Sequence, residues 1–365
     1  MWTFILGDLD QAETLLADFD RGGDITQPDL SVVYGLKARA YLVTEQWKEA
    51  EDYAKRAQVG YSLTTEAQYT DRNTGFNTPT SSWMMSTGFR STDYNIIYND
   101  GDSSFGSFMC LELNRNPNGI KDAGCGYAAN YGYPISIDRH LYETIPATDF
   151  RKKCFVNFDI DDLPDRDAKI QALSAYSDYP EYLYDNLYVG SYAKTSGGVS
   201  LKFRLAGGAA GHEDQHIGFV VQLPIMRVEE MYLIEAEAAG MQDPTRGEAL
   251  LTAFAKPRDP NYTYGTHRDA YGNTSTSAFQ NECWWQRRVE FWGEGLSMYD
   301  IKRLNKGIIR SYPGTNHLED FRWNTTEPPA WMTLCFVETE SANNYALEPN
   351  PTPIAPTADS PEYQF

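Results

Sequence analysis

The sequence predicts a mainly α fold, a scaffold of paired helices carrying one long, loop-rich insertion. Three observations carry this. Apolar residues recur at spacings of three and four in the early and late parts of the chain, as in amphipathic helices. Small alanines sit where neighbouring helices would touch. Between them, over residues 61–215, that periodicity fades into Gly, Asn, Asp, Ser, Thr and Tyr. The chain has 365 residues, 41% hydrophobic and 14% aromatic, enough to build a full core.

Residues 1–60 read as helices. Trp2, Ile5, Leu9, Ala12, Leu16 and Phe19 form one apolar stripe, stopped by Gly22 and Gly23. A second stripe, Val33, Leu36, Ala40 and Val43, follows the start signal Pro28-Asp29. A third, Trp47, Ala50, Ala54 and Ala57, runs to Gly60. "KARAYLVTEQWKEAEDYAKRA" thus reads as a tetratricopeptide-like helix pair whose alanines admit a close neighbour. One such pair leaves an apolar face open, so the covering helices must come from elsewhere.

Residues 61–215 carry loop chemistry with embedded aromatics, as in "TDRNTGFNTPTSS" and "NRNPNGIKDAGCGYAANYGYP". "LKFRLAG" is a strand candidate, and Trp83 in "SSWMMS" suits a core strand. Residues 216–311 return to helix. Pro224 reads as a first-turn proline, followed by a face of Val228, Met231, Tyr232 and Glu235 that stops at Gly240. In "RRVEFWGEGLSMYDIKRL", Trp285, Val289, Trp292, Leu296 and Tyr299 fall on a single helical face. Asp300 and Arg303 are spaced to pair at i,i+3. Gly293 and Gly295 are expected to admit another backbone or bend the helix. Residues 312–365 are irregular, and together the four segments are expected to form one domain.

The net charge of −20 repels phosphate backbones and anionic lipid, which argues against nucleic acid as a partner. The five cysteines are scattered without metal spacing, and an odd number leaves at least one thiol unpaired. The longest apolar run, around Gly218–Met226, is broken by Gln222 and Pro224, too short to span a membrane. The first residues show no basic region followed by an apolar core, so a signal peptide is not expected in this sequence.

Three clusters invite a chemical reading. Glu229, Glu230, Glu235, Glu237, Glu290 and Glu294 could supply the paired carboxylates of a glycoside hydrolase. Their neighbours Arg227, Arg287 and Arg288 favour ion pairs instead. "GHEDQH" (His212, Glu213, Asp214, His216) has metal-like composition but sits among loop residues, and "NFDIDDLPDRDA" lacks the glycine and glutamate of a calcium loop. Both read as solvated loops, and neither a cofactor nor a metal is expected. The loop aromatics are the sharper case. A sugar ring presents an apolar C–H face rimmed by hydroxyls, matched by a flat aromatic beside Asn or Asp. Tyr98, Phe105, Tyr127, Asn130, Tyr131 and Tyr133 are the candidate ligand-binding residues, with Tyr262 and Tyr264 of "NYTYGTH" a second candidate surface.

"QRRVEFWGEGLSMYDIKRLNKG" resembles the helix R-R-x-E-(aromatic/L)-x-x-E-G-x-R-x-x-D-(L/I)-x-R-L of the SusD/RagB family of outer-membrane glycan-binding lipoproteins. "LPIMRVEEMYLIEAEAAG" is similar to its P-(I/L)-(I/L)-R-(L/Y)-(A/S)-E-x-Y-L-x-x-A-E-A helix. "ILGDLDQAETLL" resembles its first repeat, "TDFRKKCFV" its D-x-R strand entry and "FVETESANNYALEPNP" its C-terminal motif. The likeness spans the chain in order. Ser297 departs from the usual Arg, Phe336-Val337-Glu338 from the terminal I-P. The family's leader and lipid-bearing Cys have no counterpart here, so the chain is expected to be truncated at its N-terminus. The resemblance implies a SusD-like α superhelix that binds an oligo- or polysaccharide without catalysis at the outer membrane surface. Its implied partner is a SusC-like TonB-dependent transporter. A glycoside hydrolase and a helical-repeat peptide-binding scaffold are the rival readings.

Overall fold

The computed structural model describes residues 1–71, 76, 78–93, 105–110, 135–189, 197–207, 215–268, 275–333, 336–348 and 360–365. Their contacts divide into two units, one of Met1–Ile137 with Leu141–Tyr262, the other of Asp138–His140 with Thr263–Phe365. Helices dominate, as the periodicity predicted. Among the described residues, none is long and apolar enough to cross a membrane.

The first unit opens with α1 (Trp2–Leu15), α2 (Leu30–Val43) and α3 (Trp47–Ala57). The stripe of α1 is only partly covered, and no residue of that helix is fully buried, because among the described residues α2 is the main element packed along it, with α3 reaching only Glu13. Asp29 caps α2 by accepting from the Val32 N–H. Val33 and Ala40 are buried as expected, but Leu36 and Val43 are 38% and 37% exposed. Helix α2 has α1, α3 and a later helix around it, so Val32, Lys37, Ala38 and Leu42 are buried too and no single stripe describes it. On α3 the prediction holds: Ala50, Ala54 and Ala57 are each fully buried.

The cover for that alanine face comes from far along the chain. Strand β1 (Trp83–Ser86) pairs antiparallel with β2 (Pro224–Arg227), in an irregular register that sets Trp83 opposite Arg227 and Ser86 opposite Pro224. Pro224 therefore begins a strand, not a helix; it occupies the strand's first position, where a missing N–H is tolerated. Helix α4 (Val228–Gln242) follows, and α5 (Pro244–Ala255) after it, with Asp243 ending the first and capping the second through Thr245 and Arg246 N–H. Helix α4 passes Gly240 and is buried on nearly every side. Tyr232, expected on its inner face, is the one half-exposed residue between Val228 and Gly240. Met226, Met231 and Ile234 meet Ala50, Ala54 and Ala57 in the core.

"LKFRLAG" forms no strand. Isolated bridges, Ser136 to Val199 and Phe155 to Ser200, lie just before it, and every residue from Val199 to Leu205 is buried, so alternation carries no information there.

In the second unit, α6 (Ala278–Glu290) starts from a capping box of Ser277 and Gln280, and α7 (Ser297–Arg303) follows a turn. The predicted continuous face is broken. Trp285 and Val289 are buried, Trp292 and Leu296 half-buried, and Tyr299 is 61% exposed. Gly293 and Gly295 take left-handed φ values of 77° and 80°, which ends α6 outright. A side chain at Gly295 would meet open space, so its conformation and not a neighbour's approach requires glycine.

Candidate functional site

Two of the carboxylates that could have formed an acid/base pair, Glu229 and Glu230, are taken up by arginines. On α4, Glu229 lies 2.7 Å from Arg227 and 3.4 Å from Arg258 and accepts the Thr64 N–H. Glu230 receives both Nε and a terminal nitrogen of Arg39, the latter at 2.6 Å. Glu235, expected beside Arg227, instead accepts from Gln58 at 2.7 Å with Lys55 at 3.9 Å, because Arg227 is turned to Glu229. Asp300 takes Arg287 at 2.7 Å and Arg303 at 2.8 Å, the i,i+3 pair foreseen. Burial would raise the Asp300 carboxyl, yet the two guanidinium groups hold it below its ordinary value. Charges locked in this way hold helices together and are poorly placed to transfer protons.

Of the residues proposed to grip a ligand, Tyr98, Tyr127, Asn130, Tyr131 and Tyr133 lie outside the described residues. Phe105 is described, half-buried, its ring edge-on to buried Phe203 at 5.0 Å. Of the second aromatic surface, Tyr262 is buried, 4% exposed, which removes it as a platform, while Tyr264 is half-buried beside Phe279. His212, Glu213 and Asp214 also lie outside the described residues, and among the described ones no His, Cys, Asp and Glu cluster could hold a metal. In the Asp-rich stretch, Asp165 caps the helix Arg166–Leu173, and Asp161 accepts from the Tyr188 hydroxyl and the Gly197 N–H.

A cleft of about 490 Å³ opens in the first unit. One wall comes from the D-x-R segment, a 3₁₀ turn (Phe150–Cys154) that leads into extended Phe155 and its bridge to Ser200. Asp149 caps the turn through the Arg151 N–H and holds the Arg151 guanidinium at 2.6 Å, both fully buried. That lock leaves Lys152 and Lys153 on the cleft side. Lys152 donates to the Ile145 carbonyl at 2.7 Å and lies 4.5 Å above the Tyr142 ring. Burial lowers its pKa against the opposing fields of Asp159, Glu143 and Asp149. Lys153 is paired with Glu66 at 2.6 Å. Arg204, 6% exposed, brings a third cation to the lining.

Tyr142 and Tyr176 complete the chemistry. Tyr142 is 6% exposed, and its hydroxyl has no hydrogen-bond partner among the described residues. The Tyr176 hydroxyl accepts the Asn157 N–H at 3.1 Å, which leaves its own O–H to donate. Burial pushes both phenols up, so they stay protonated donors. Sequence reading singled out none of these residues for binding. The signal present was "RKK", a basic run in an acidic chain that overlaps the D-x-R motif.

No family model matches the sequence, and no curated protein matches it. Solved structures do. A SusD-like carbohydrate binding protein from Bacteroides vulgatus aligns over 95% of this chain and 64% of its own, with a TM-score of 0.62 at 19% identity. A SusD superfamily protein from Bacteroides thetaiotaomicron aligns over 96% of this chain and 66% of its own, with a TM-score of 0.59 at 17% identity. Surface glycan-binding protein A from Bacteroides thetaiotaomicron, in complex with laminarihexaose, aligns over 96% and 70%, with a TM-score of 0.60 at 16% identity. The chain spans just under two thirds of the length of the first two. Paired helices around an alanine-lined contact, buried ion pairs on α4 and these alignments along nearly the whole chain lead to one conclusion: this chain has the SusD-like fold.

Proposed function

We propose that the chain is a non-catalytic carbohydrate-binding protein that captures an oligo- or polysaccharide at the bacterial cell surface. The observation carrying this is the shared fold, which extends over 96% of the chain in a protein solved with laminarihexaose. The engagement of Glu229, Glu230 and Asp300 by arginines supports binding without bond cleavage. Delivery to a SusC-like TonB-dependent transporter in the outer membrane is part of the same proposal. Tyr98, Phe105, Tyr127, Asn130, Tyr131 and Tyr133 are the proposed stacking and rim contacts.

The test is a glycan array followed by titration calorimetry on the hits. Binding without product is the expected result, and release of reducing ends during incubation would replace the binding reading with a hydrolase. Tyr131→Ala or Tyr133→Ala is expected to weaken binding by about 1–3 kcal/mol without changing Tm, as for loss of a hot-spot aromatic. Unaltered isotherms in both variants would move the platform elsewhere.

A further inference from the structure

The cleft over the 3₁₀ turn offers an unusual surface for this chain. The protein carries 51 acidic and 31 basic residues, yet the lining of this cleft has three cations and, among the described residues, no carboxylate. Lys153 is answered by Glu66. Lys152 is not answered by a carboxylate at contact distance; its ammonium rests on a carbonyl and an aromatic face. Around it stand two phenols that can donate. One Tyr176 lone pair already accepts the Asn157 N–H, and the Asn157 amide is turned to Asp159. This wall gives hydrogen bonds more readily than it takes them.

That bias selects a ligand chemistry. Each hydroxyl of a neutral sugar needs an acceptor as well as a donor, whereas a carboxylate accepts only. A charge-assisted bond to a partly desolvated ammonium is also stronger than a neutral one. The overall charge of −20 works against anions at a distance, but beyond roughly 8–10 Å it is screened at physiological salt, so contact groups decide. Half-buried Tyr176 adds an aromatic wall for a ring's C–H face. We infer that this cleft, through Lys152, Tyr142 and Tyr176, binds the carboxylate of an acidic sugar, a hexuronic-acid residue of the glycan. The inference rests on the carbohydrate-binding reading and narrows its substrate class.

Titration calorimetry of the full chain would compare a hexuronic-acid trisaccharide, its carboxyl-reduced neutral counterpart and inorganic sulfate. The acidic trisaccharide is expected to bind at least about tenfold tighter than the reduced one. Lys152→Met should erase that preference, Lys152→Arg should keep it, and Tyr142→Phe should reduce it several-fold, each at unchanged Tm. If Lys152→Met does not fold, Tyr142→Phe decides, and an undiminished preference there overturns the inference. Equal affinity for the acidic and reduced sugars overturns it while leaving glycan binding intact. Sulfate binding as tightly as the trisaccharide would also overturn it, as a site for free anions only. Absence of binding to any saccharide, acidic or neutral, would sink the carbohydrate reading together with it.

Discussion

Asp300 concentrates the residue-scale physics. A buried carboxylate is costly unless its charge is met, and here Arg287 and Arg303 meet it from two helices. Asp300→Asn removes the carboxylate that buried Arg287 meets at 2.7 Å and is expected to lower stability by about 3–5 kcal/mol in urea unfolding. The pH dependence has a definite sign. A carboxyl held below its unfolded value stabilises fully above that value, near pH 4, and loses the contribution as pH falls through the lower folded pKa. The wild-type Tm should therefore drop on acidification below about pH 4 more steeply than that of Asp300→Asn. The i,i+3 spacing of Asp300 and Arg303 was legible in sequence. Arg287 as the second partner was not, because the chain between α6 and α7 had to turn first to bring it near.

At the scale of elements, spacing located helices but misjudged how they end and which sides are covered. Gly293 and Gly295 read as a bend inside one helix, whereas their positive φ values split it in two. Gly295→Ala is expected to cost about 1–2 kcal/mol through backbone strain alone, with Gly295→Asn milder, as measured by thermal melting. Equal losses for both would mean that side-chain space matters there. Trp292 is half-buried past the end of α6, so Trp292→Ala should cost less than the about 3–5 kcal/mol of a fully buried tryptophan. Ala54, by contrast, is fully buried. Ala54→Leu should destabilise by about 1–3 kcal/mol through overpacking against α4.

Across the whole molecule, the early helix pair is completed by residues nearly two hundred positions away. Arg39 grips Glu230, Gln58 holds Glu235, and Glu51 accepts from Gln242 and pairs with Arg246. The tie also shows in Glu51, where burial would raise the carboxyl but Lys55 and Arg246 keep it below its ordinary value. A peptide of residues 1–60 alone would expose the alanine face of α3 and leave these charges unmet. It is expected to show little helix by circular dichroism and to gain it when residues 224–262 are added. Full helicity of the short peptide in isolation would mean that α4 is not what holds the pair.

Unaided, the sequence determined the helical class, the alanine-lined pair and the Asp300–Arg303 ion pair. These rest on local spacing and on the cost of burying an unmet charge, both of which are visible within one stretch of chain. Only the tertiary structure decided which helix covers that pair and that Tyr262 is sealed inside. It also placed Lys152, Tyr142 and Tyr176 around one cleft. Those outcomes depend on contacts between distant residues, and a side chain's role there is set by what folds back against it.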